Sequence, residues 1–290
     1  MMFKILRSIA LAASLIVSQP LQAQVLATPA QLDDEWTTLR ILDRPEMRAA
    51  IGRIEALYRA DPRAATPAGK ARIRRAGQSI GMASLHYSLS EGVTPPAVIW
   101  ATFAPHRWHG MIVPGSGFGI ENPDNIYQGF AVAGGGHYVL HGHLPKPGPV
   151  QLHFEVRDSI PGLGSMQVEG FSQLATIQSE ELEIDAKGNF TITIDSSPTG
   201  ERRNHLQIPQ DGAFNVGIRQ LLTDWSVQRP ARLRVERLDP APLPSQRGHI
   251  PPSRLKVAFS AIVFPPRCTV MAPDALTDGV LNENAFGPPT

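Results

Sequence analysis

His137-Tyr138-Val139-Leu140-His141-Gly142-His143 is followed, after the loop Leu144 to Val150, by Gln151-Leu152-His153-Phe154-Glu155-Val156. Polar and apolar residues alternate in both runs, and a period of two marks a strand with one buried and one wet face. Tyr138, Leu140, Leu152, Phe154 and Val156 share the apolar side; His137, His141, His143, His153 and Glu155 take the other. If the seven-residue loop closes a regular hairpin, His143 pairs with Gln151, His141 pairs with His153, and Glu155 stands opposite Val139.

Working outward, the same punctuated alternation recurs. Val98 to Trp100, Tyr127 to Ala133, Phe214 to Leu222 and Arg232 to Leu238 read as strands, and Leu182 with Ile184 is joined to Phe190, Ile192 and Ile194 by the turn Asp185 to Asn189. Upstream the period changes to that of helices. Thr28-Pro29-Ala30-Gln31 fits a capping box and opens a helix whose face is Leu32, Trp36 and Leu39. Asp43 and Pro45 precede a second helix with Met47, Ile51, Ile54 and Tyr58 on one stripe, and Thr66-Pro67 begins a third reaching about Leu89. Ser253 heads a short C-terminal helix carrying Leu255, Ala258, Phe259 and Ile262. Helices and strands are segregated, which predicts an α+β, mainly β fold: an antiparallel jelly-roll-like β-sandwich with an N-terminal helical segment over residues 24–92 and a sandwich domain over 93–265, followed by a loose tail at 266–290.

Met1 to Ala23 has the order of a cleavable leader: Lys4 and Arg7, then the apolar run Ile9 to Val17, then Pro20 and a small residue at the cleavage point. A run of that length is too short to span a bilayer, for which about 20 residues are needed. The expectation is a periplasmic or secreted protein with no stable membrane span after cleavage. Without its leader the chain carries 25 basic against 26 acidic residues. That balance gives no electrostatic case for nucleic acid as a partner. The lone Cys268 forms no intrachain disulfide, so stability must come from burial.

Glu121-Asn122-Pro123-Asp124-Asn125-Ile126-Tyr127, with Tyr138 and Gly142 downstream, forms one block; Val216-Gly217-Ile218-Arg219, Asp224-Trp225, Arg229-Pro230-Ala231 and Val235 to Leu238 form a second. Together they resemble the bacterial domain of unknown function 1214, over about residues 115–240. The resemblance implies a compact antiparallel jelly-roll sandwich and no particular reaction. Thr199 to Leu206 departs from it, keeping Asn204 and Leu206 but not the tryptophan expected between them.

Three groupings carry candidate chemistry. His141, His143 and His153, gathered by the hairpin, make a metal site of the kind imidazole builds for zinc or iron, with Glu155 or Asp124 as general base. Asn122, Asn125 and Tyr127, with Arg219, Asp224 and Trp225, line a ligand pocket at the sheet end, although Arg219 and Asp224 have opposite parity and do not pair directly. His106, Trp108 and His109 form an aromatic cluster able to stack a ring, with a core anchor as the plainer reading. Pro114 to Gly119 lacks the spacing of a nucleophile elbow or a dinucleotide loop. The expected function is small-molecule or apolar-ligand binding in the cell envelope with no cofactor required. A metal-dependent enzyme using a divalent ion on the histidine face, and a structural module, are the alternatives.

Overall fold

Leu152, Phe154 and Val156 all point inward, as their alternation requires, and what they meet is a second sheet. The computed structural model describes residues 26–90, 95–117, 121–158 and 172–240. Its helices are α1 (Pro29–Leu42), α2 (Pro45–Ala60) and α3 (Pro67–Ser90), with one turn of 3-10 helix at Pro62–Ala65 between the last two. The strands are β1 (Ile99–Thr102), β2 (His106–Trp108), β3 (Met111–Val113), β4 (Asn125–Ala133), β5 (Tyr138–His143), β6 (Gln151–Arg157), β7 (Gln173–Gln178), β8 (Asn189–Asp195), β9 (His205–Gln207), β10 (Ala213–Leu221) and β11 (Arg232–Arg237). A five-stranded sheet runs β1-β4-β10-β6-β7, a four-stranded sheet runs β11-β5-β8-β9, and β2 pairs with β3. Every pairing is antiparallel except β8 with β9.

The sandwich core lies between the two sheets. Phe130, Phe154, Val156, Ile177, Val216 and Ile218 come from one, and Tyr138, Leu140, Phe190, Ile192, Ile194 and Val235 from the other. Phe154 meets Phe190 edge to face at 5.9 Å between centroids, joining the sheets at the centre. Gly142 lies across from Phe190 in the β5–β8 ladder, and the ring fills the place of the missing side chain.

The α+β sandwich expected from the alternation is what forms, and its face assignments hold, but the β5–β6 hairpin does not. β5 pairs with β11 and β8, whereas β6 pairs with β10 and β7, so the loop 144–150 crosses from one sheet to the other. Leu182 and Ile184 form no strand: Leu182 is a buried loop residue, and the extra strand of that region is β7, upstream of it. The leader, the helix expected after Ser253, and Cys268 lie outside the described residues.

The helices pack on the β1–β4 side of the five-stranded sheet and on the β2–β3 ribbon. Between them sits a second core of Met82, Trp100, Phe103, Met111, Val113 and Ile126. Thr28 caps α1 by accepting from the Gln31 backbone N–H at 3.2 Å, as expected. The Gln31 side chain, however, does not return to Thr28. It is buried, and so are Glu35 and Thr38, while Trp36 is half exposed. The inward face of α1 is therefore mixed: Gln31, Glu35 and Thr38 are buried beside Ile41, and of the expected stripe Leu32 and Leu39 pack against the second core while Trp36 does not.

Replacing Gly142 with alanine places a methyl carbon 2.0 Å from a Phe190 ring carbon. The ring must leave its place against Phe154, and we expect G142A to cost about 1–3 kcal/mol in urea unfolding, with the slope of the transition unchanged.

Candidate functional site

Strand parity puts His141 and His143 on the outer face of the four-stranded sheet and His153 on the outer face of the five-stranded sheet. These faces are on opposite sides of the sandwich, so the three imidazoles do not converge. His141 Nε2 lies 3.6 Å from Glu236 Oε2, and His143 Nδ1 lies 3.1 Å from Asn189 Oδ1. Among the described residues no group of three His, Cys, Asp or Glu side chains is placed to hold a metal ion. The three-histidine site is thus undone by one feature, the loop that carries β6 into the other sheet.

His153 instead belongs to an ordered array. On the outer face of the five-stranded sheet the ladder registers align Tyr127, Arg219, His153 and Gln178 in one row across β4, β10, β6 and β7. The next row is Gly129, Gly217, Glu155 and Thr176, and the third is Ala131, Asn215, Arg157 and Gln173. A register irregularity between Val156 and Arg157 brings Gln173 into line.

Glu155 is the centre of this array. It is 6% exposed although it stands on the outer face of its sheet. Arg157 donates to its Oε1 through Nε at 2.8 Å and Nη2 at 2.7 Å, and Gln173 donates to Oε2 at 3.0 Å. Arg219 Nη2 stands 3.6 Å from Oε2. The carboxylate packs over Gly217, where an added Cβ would come within 3.1 Å of Oε1. So many donors make Glu155 a fixed acceptor rather than the general base expected of it.

Arg219 also donates from Nη2 to His153 Nδ1 at 2.8 Å. An arginine can only donate, so His153 accepts at Nδ1 and carries its proton on Nε2. Burial and the Arg219 charge together hold its pKa below the ordinary histidine value, outweighing the opposite pull of Glu155. His153 is therefore neutral at pH 7, and around it the charges of Arg157 and Arg219 face those of Glu155 and Glu181.

Helix α3 packs against β1 and β4. Its Tyr87 bonds Thr102, which pairs with Tyr127 in the ladder. Burial pushes the Tyr87 phenol up from its ordinary pKa, and Glu155 and Arg157 are close enough to act on it. At the other end of the face a cleft lined by Asp34, Thr37, Leu89, Pro96, Ile99 and Ala131 separates α1 and the end of α3 from the sheet. Ala131 belongs both to this cleft and to the third row, so the cleft borders the polar array.

The remaining expected site residues take simpler parts. Asn122 Oδ1 accepts from the Asp124 N–H at 2.9 Å, the self-bracing turn read from the sequence. The Tyr127 hydroxyl accepts from the Asn122 N–H at 2.8 Å and from Asn125 Nδ2 at 3.3 Å, which fastens the turn to the first row. Asp124 is exposed there and is not brought to Glu155. Asp224 does not pair with Arg219. It accepts from the Ser226 N–H at 2.9 Å, and its bonds to Ser226 hold its carboxyl below the usual range. Trp225 packs against the second core.

Sequence reasoning missed the buried network under α1. Glu35 is fully buried and accepts from Gln31 Nε2 at 2.8 Å and from Trp108 Nε1 at 2.7 Å, with His106 Nε2 at 3.4 Å. Gln31 Oε1 accepts from the Trp100 N–H at 2.6 Å, and its amide reaches the Trp100 carbonyl at 3.4 Å, so the side chain occupies the open border of β1. Behind it the fully buried His86 holds Asp34 at 2.5 Å and meets Phe103 edge on. Trp100, His106 and Trp108 stack among these groups, which makes the expected aromatic cluster an anchor of the second core. The clue in the sequence is Gln31, Glu35 and Thr38 at helical spacing, a polar stripe where an apolar one competes for attention.

No family model matches the chain, and no curated protein does. Among solved structures it is similar to an uncharacterized protein from Burkholderia cenocepacia, at a TM-score of 0.55 and 20% identity, over 79% of this chain and 57% of that one. The chain thus spans little more than half the length of that relative, and at this identity the likeness shows the fold alone. A protein from Vibrio parahaemolyticus matches at a TM-score of 0.30 and 11% identity, over 40% of this chain and 31% of that one.

Burial pushes the Glu35 carboxyl up, but the His106, Gln31 and Trp108 donors and the His106 charge outweigh it and hold the group below its ordinary value. A depressed carboxyl pKa gives stability that is present above the unfolded value and lost as pH falls through the folded one. We expect Glu35→Gln to cost about 1–3 kcal/mol at pH 7. That gap should narrow below about pH 4 when thermal unfolding of the two proteins is compared across pH.

Proposed function

We propose that the chain is an exported envelope protein that binds a small molecule in the groove between α3 and the outer face of the five-stranded sheet. One observation carries the reading: a nearly inaccessible carboxylate, Glu155, clamped with arginines on the side of the sheet that faces away from the sandwich core. Taking such charges out of water costs more than their mutual attraction returns in most folds, and apolar residues would stabilise the same sheet face at least as well. A preorganised polar array beside a cleft is what ligand recognition requires. The leader read at Met1 to Ala23 supports export, and the two motif blocks support a relation to domain of unknown function 1214. With the histidines separated, nothing among the described residues favours the metal-dependent alternative.

Thr176 stands opposite Glu155 on β7 and is exposed, so a large side chain there covers the middle row without entering the core. Screening of the mature chain by thermal shift should yield small molecules that raise its melting temperature. Thr176→Trp should abolish those shifts while leaving the unliganded transition within about 2 °C of wild type. Full response in T176W, or no response in the wild type to any compound, would sink the proposal. Expressed with its own leader, the chain should be recovered outside the cytoplasm with Gln24 as its first residue by N-terminal sequencing.

A further inference from the structure

The donor inventory of Arg219 goes further than the general reading above, on which this inference rests. A guanidinium has five N–H groups in a planar fork. In Arg219, Nη2 is committed to His153 and faces Glu155. Nε is enclosed, and among the described residues neither Nε nor Nη1 has a hydrogen-bond partner. The side chain is 42% exposed although its Nε is buried, so the exposure lies elsewhere on the side chain.

We propose that Arg219 is the anchor for the carboxylate of a small organic acid, which binds on the outer sheet face between Tyr127 and His153. Three features fit this chemistry. The donor left for a ligand is Nη1, whose two N–H groups lie in the guanidinium plane, where a carboxylate oxygen meets them in a charge-assisted bond. The arginine is fixed in place before binding, because Nη2 is tied to an imidazole that is itself seated on the sheet and to a carboxylate held by Arg157 and Gln173. Little side-chain freedom is left to lose on association. Finally, the carboxylates Glu155 and Glu181 stand near the two arginines, so a monoanion meets less repulsion here than a dianion. A phosphate dianion would leave an excess negative charge beside Glu155, so the carboxylate is the favoured oxyanion.

The role of His153 follows from the same geometry. As a neutral acceptor it holds the arginine without competing for the anion, which a second carboxylate in its place would do. The groups facing it are Arg219, Glu155 and Arg157, with Glu181 also acting on it, and Gln173 Nε2 lies 3.5 Å from its Nε2. Tyr127 on the other side of Arg219 has its hydroxyl engaged by the Asn122 turn, so what it offers a ligand is the ring. The acid is accordingly expected to carry an apolar or aromatic body.

The test uses the full mature chain and a matched panel measured by calorimetry and thermal shift: benzoate and butyrate, their neutral amides benzamide and butyramide, and inorganic phosphate. At least one carboxylate should bind at least tenfold more tightly than its amide and than phosphate. Arg219→Gln should erase that preference, while circular dichroism shows the fold retained. Arg219→Lys should keep the charge but recover only part of the affinity, since it lacks the planar fork. Should R219Q fail to fold, charge reversal at the exposed Thr176 (Thr176→Glu) offers a second variant, expected to weaken the carboxylate at least fivefold and leave the amide unchanged.

Equal binding of acid and amide, or a carboxylate affinity indifferent to R219Q, overturns the inference while leaving the groove reading intact. Tighter binding of phosphate than of every carboxylate overturns the choice of anion. If none of the panel binds while unrelated neutral compounds do so in a T176W-sensitive manner, this inference fails alone. If nothing binds at all, the groove reading fails with it.

Discussion

The contact of Phe154 with Phe190 fixes which face of each strand looks inward, and the remainder of the architecture follows from that orientation. Once Phe154 points at the opposite sheet, His153 and Glu155 must point away from it, and the ladders then carry the same parity to Arg219 and Tyr127. The outer array is the obligatory complement of the core: a shift of one residue in β6 would bury His153 and Glu155 between the sheets and expel Leu152, Phe154 and Val156. Gly142 serves the same contact by leaving room for the Phe190 ring, and Gly217 serves the outer face by leaving room for the Glu155 carboxylate.

Among the described residues the buried carboxylates Glu155 and Glu35 are each surrounded by donors. Glu155 is held by its neighbour two residues on and by a glutamine brought into line by a register irregularity. Glu35 is held by a tryptophan of the β2–β3 ribbon and by Gln31 of its own helix. These arrangements fix geometry more than they add stability, since desolvation offsets much of the attraction. Arg219 differs in that its Nε is buried without a partner among the described residues.

How much of this was legible in the sequence depends on the range of the interaction. Alternation is local, so the inward and outward faces of β5 and β6 were readable from the residues themselves. Pairing is not local: β6 bonds to β10, some 60 positions downstream, and nothing in the loop 144–150 tells whether it turns a hairpin or crosses a sandwich. The histidines were therefore assigned to the right faces of the wrong sheet pair. Arg219 and Tyr127 were picked from motif blocks, and their alignment with His153 could be found only from the registers. The polar stripe of α1 was visible, but hydrophobic periodicity ranks Leu32, Trp36 and Leu39 above it. The strand border that Gln31 and Glu35 serve lies about 70 residues away.

Gln31 has one more consequence. β1 is the terminal strand of its sheet, and a bare terminal strand is a template on which other chains can grow. By spending its amide on the N–H and C=O of Trp100, the glutamine closes that template at its midpoint with a side chain borrowed from the helical preface. The helices are thus a guard as well as a roof, and a sandwich stripped of α1 would be a self-adhesive particle rather than a smaller domain.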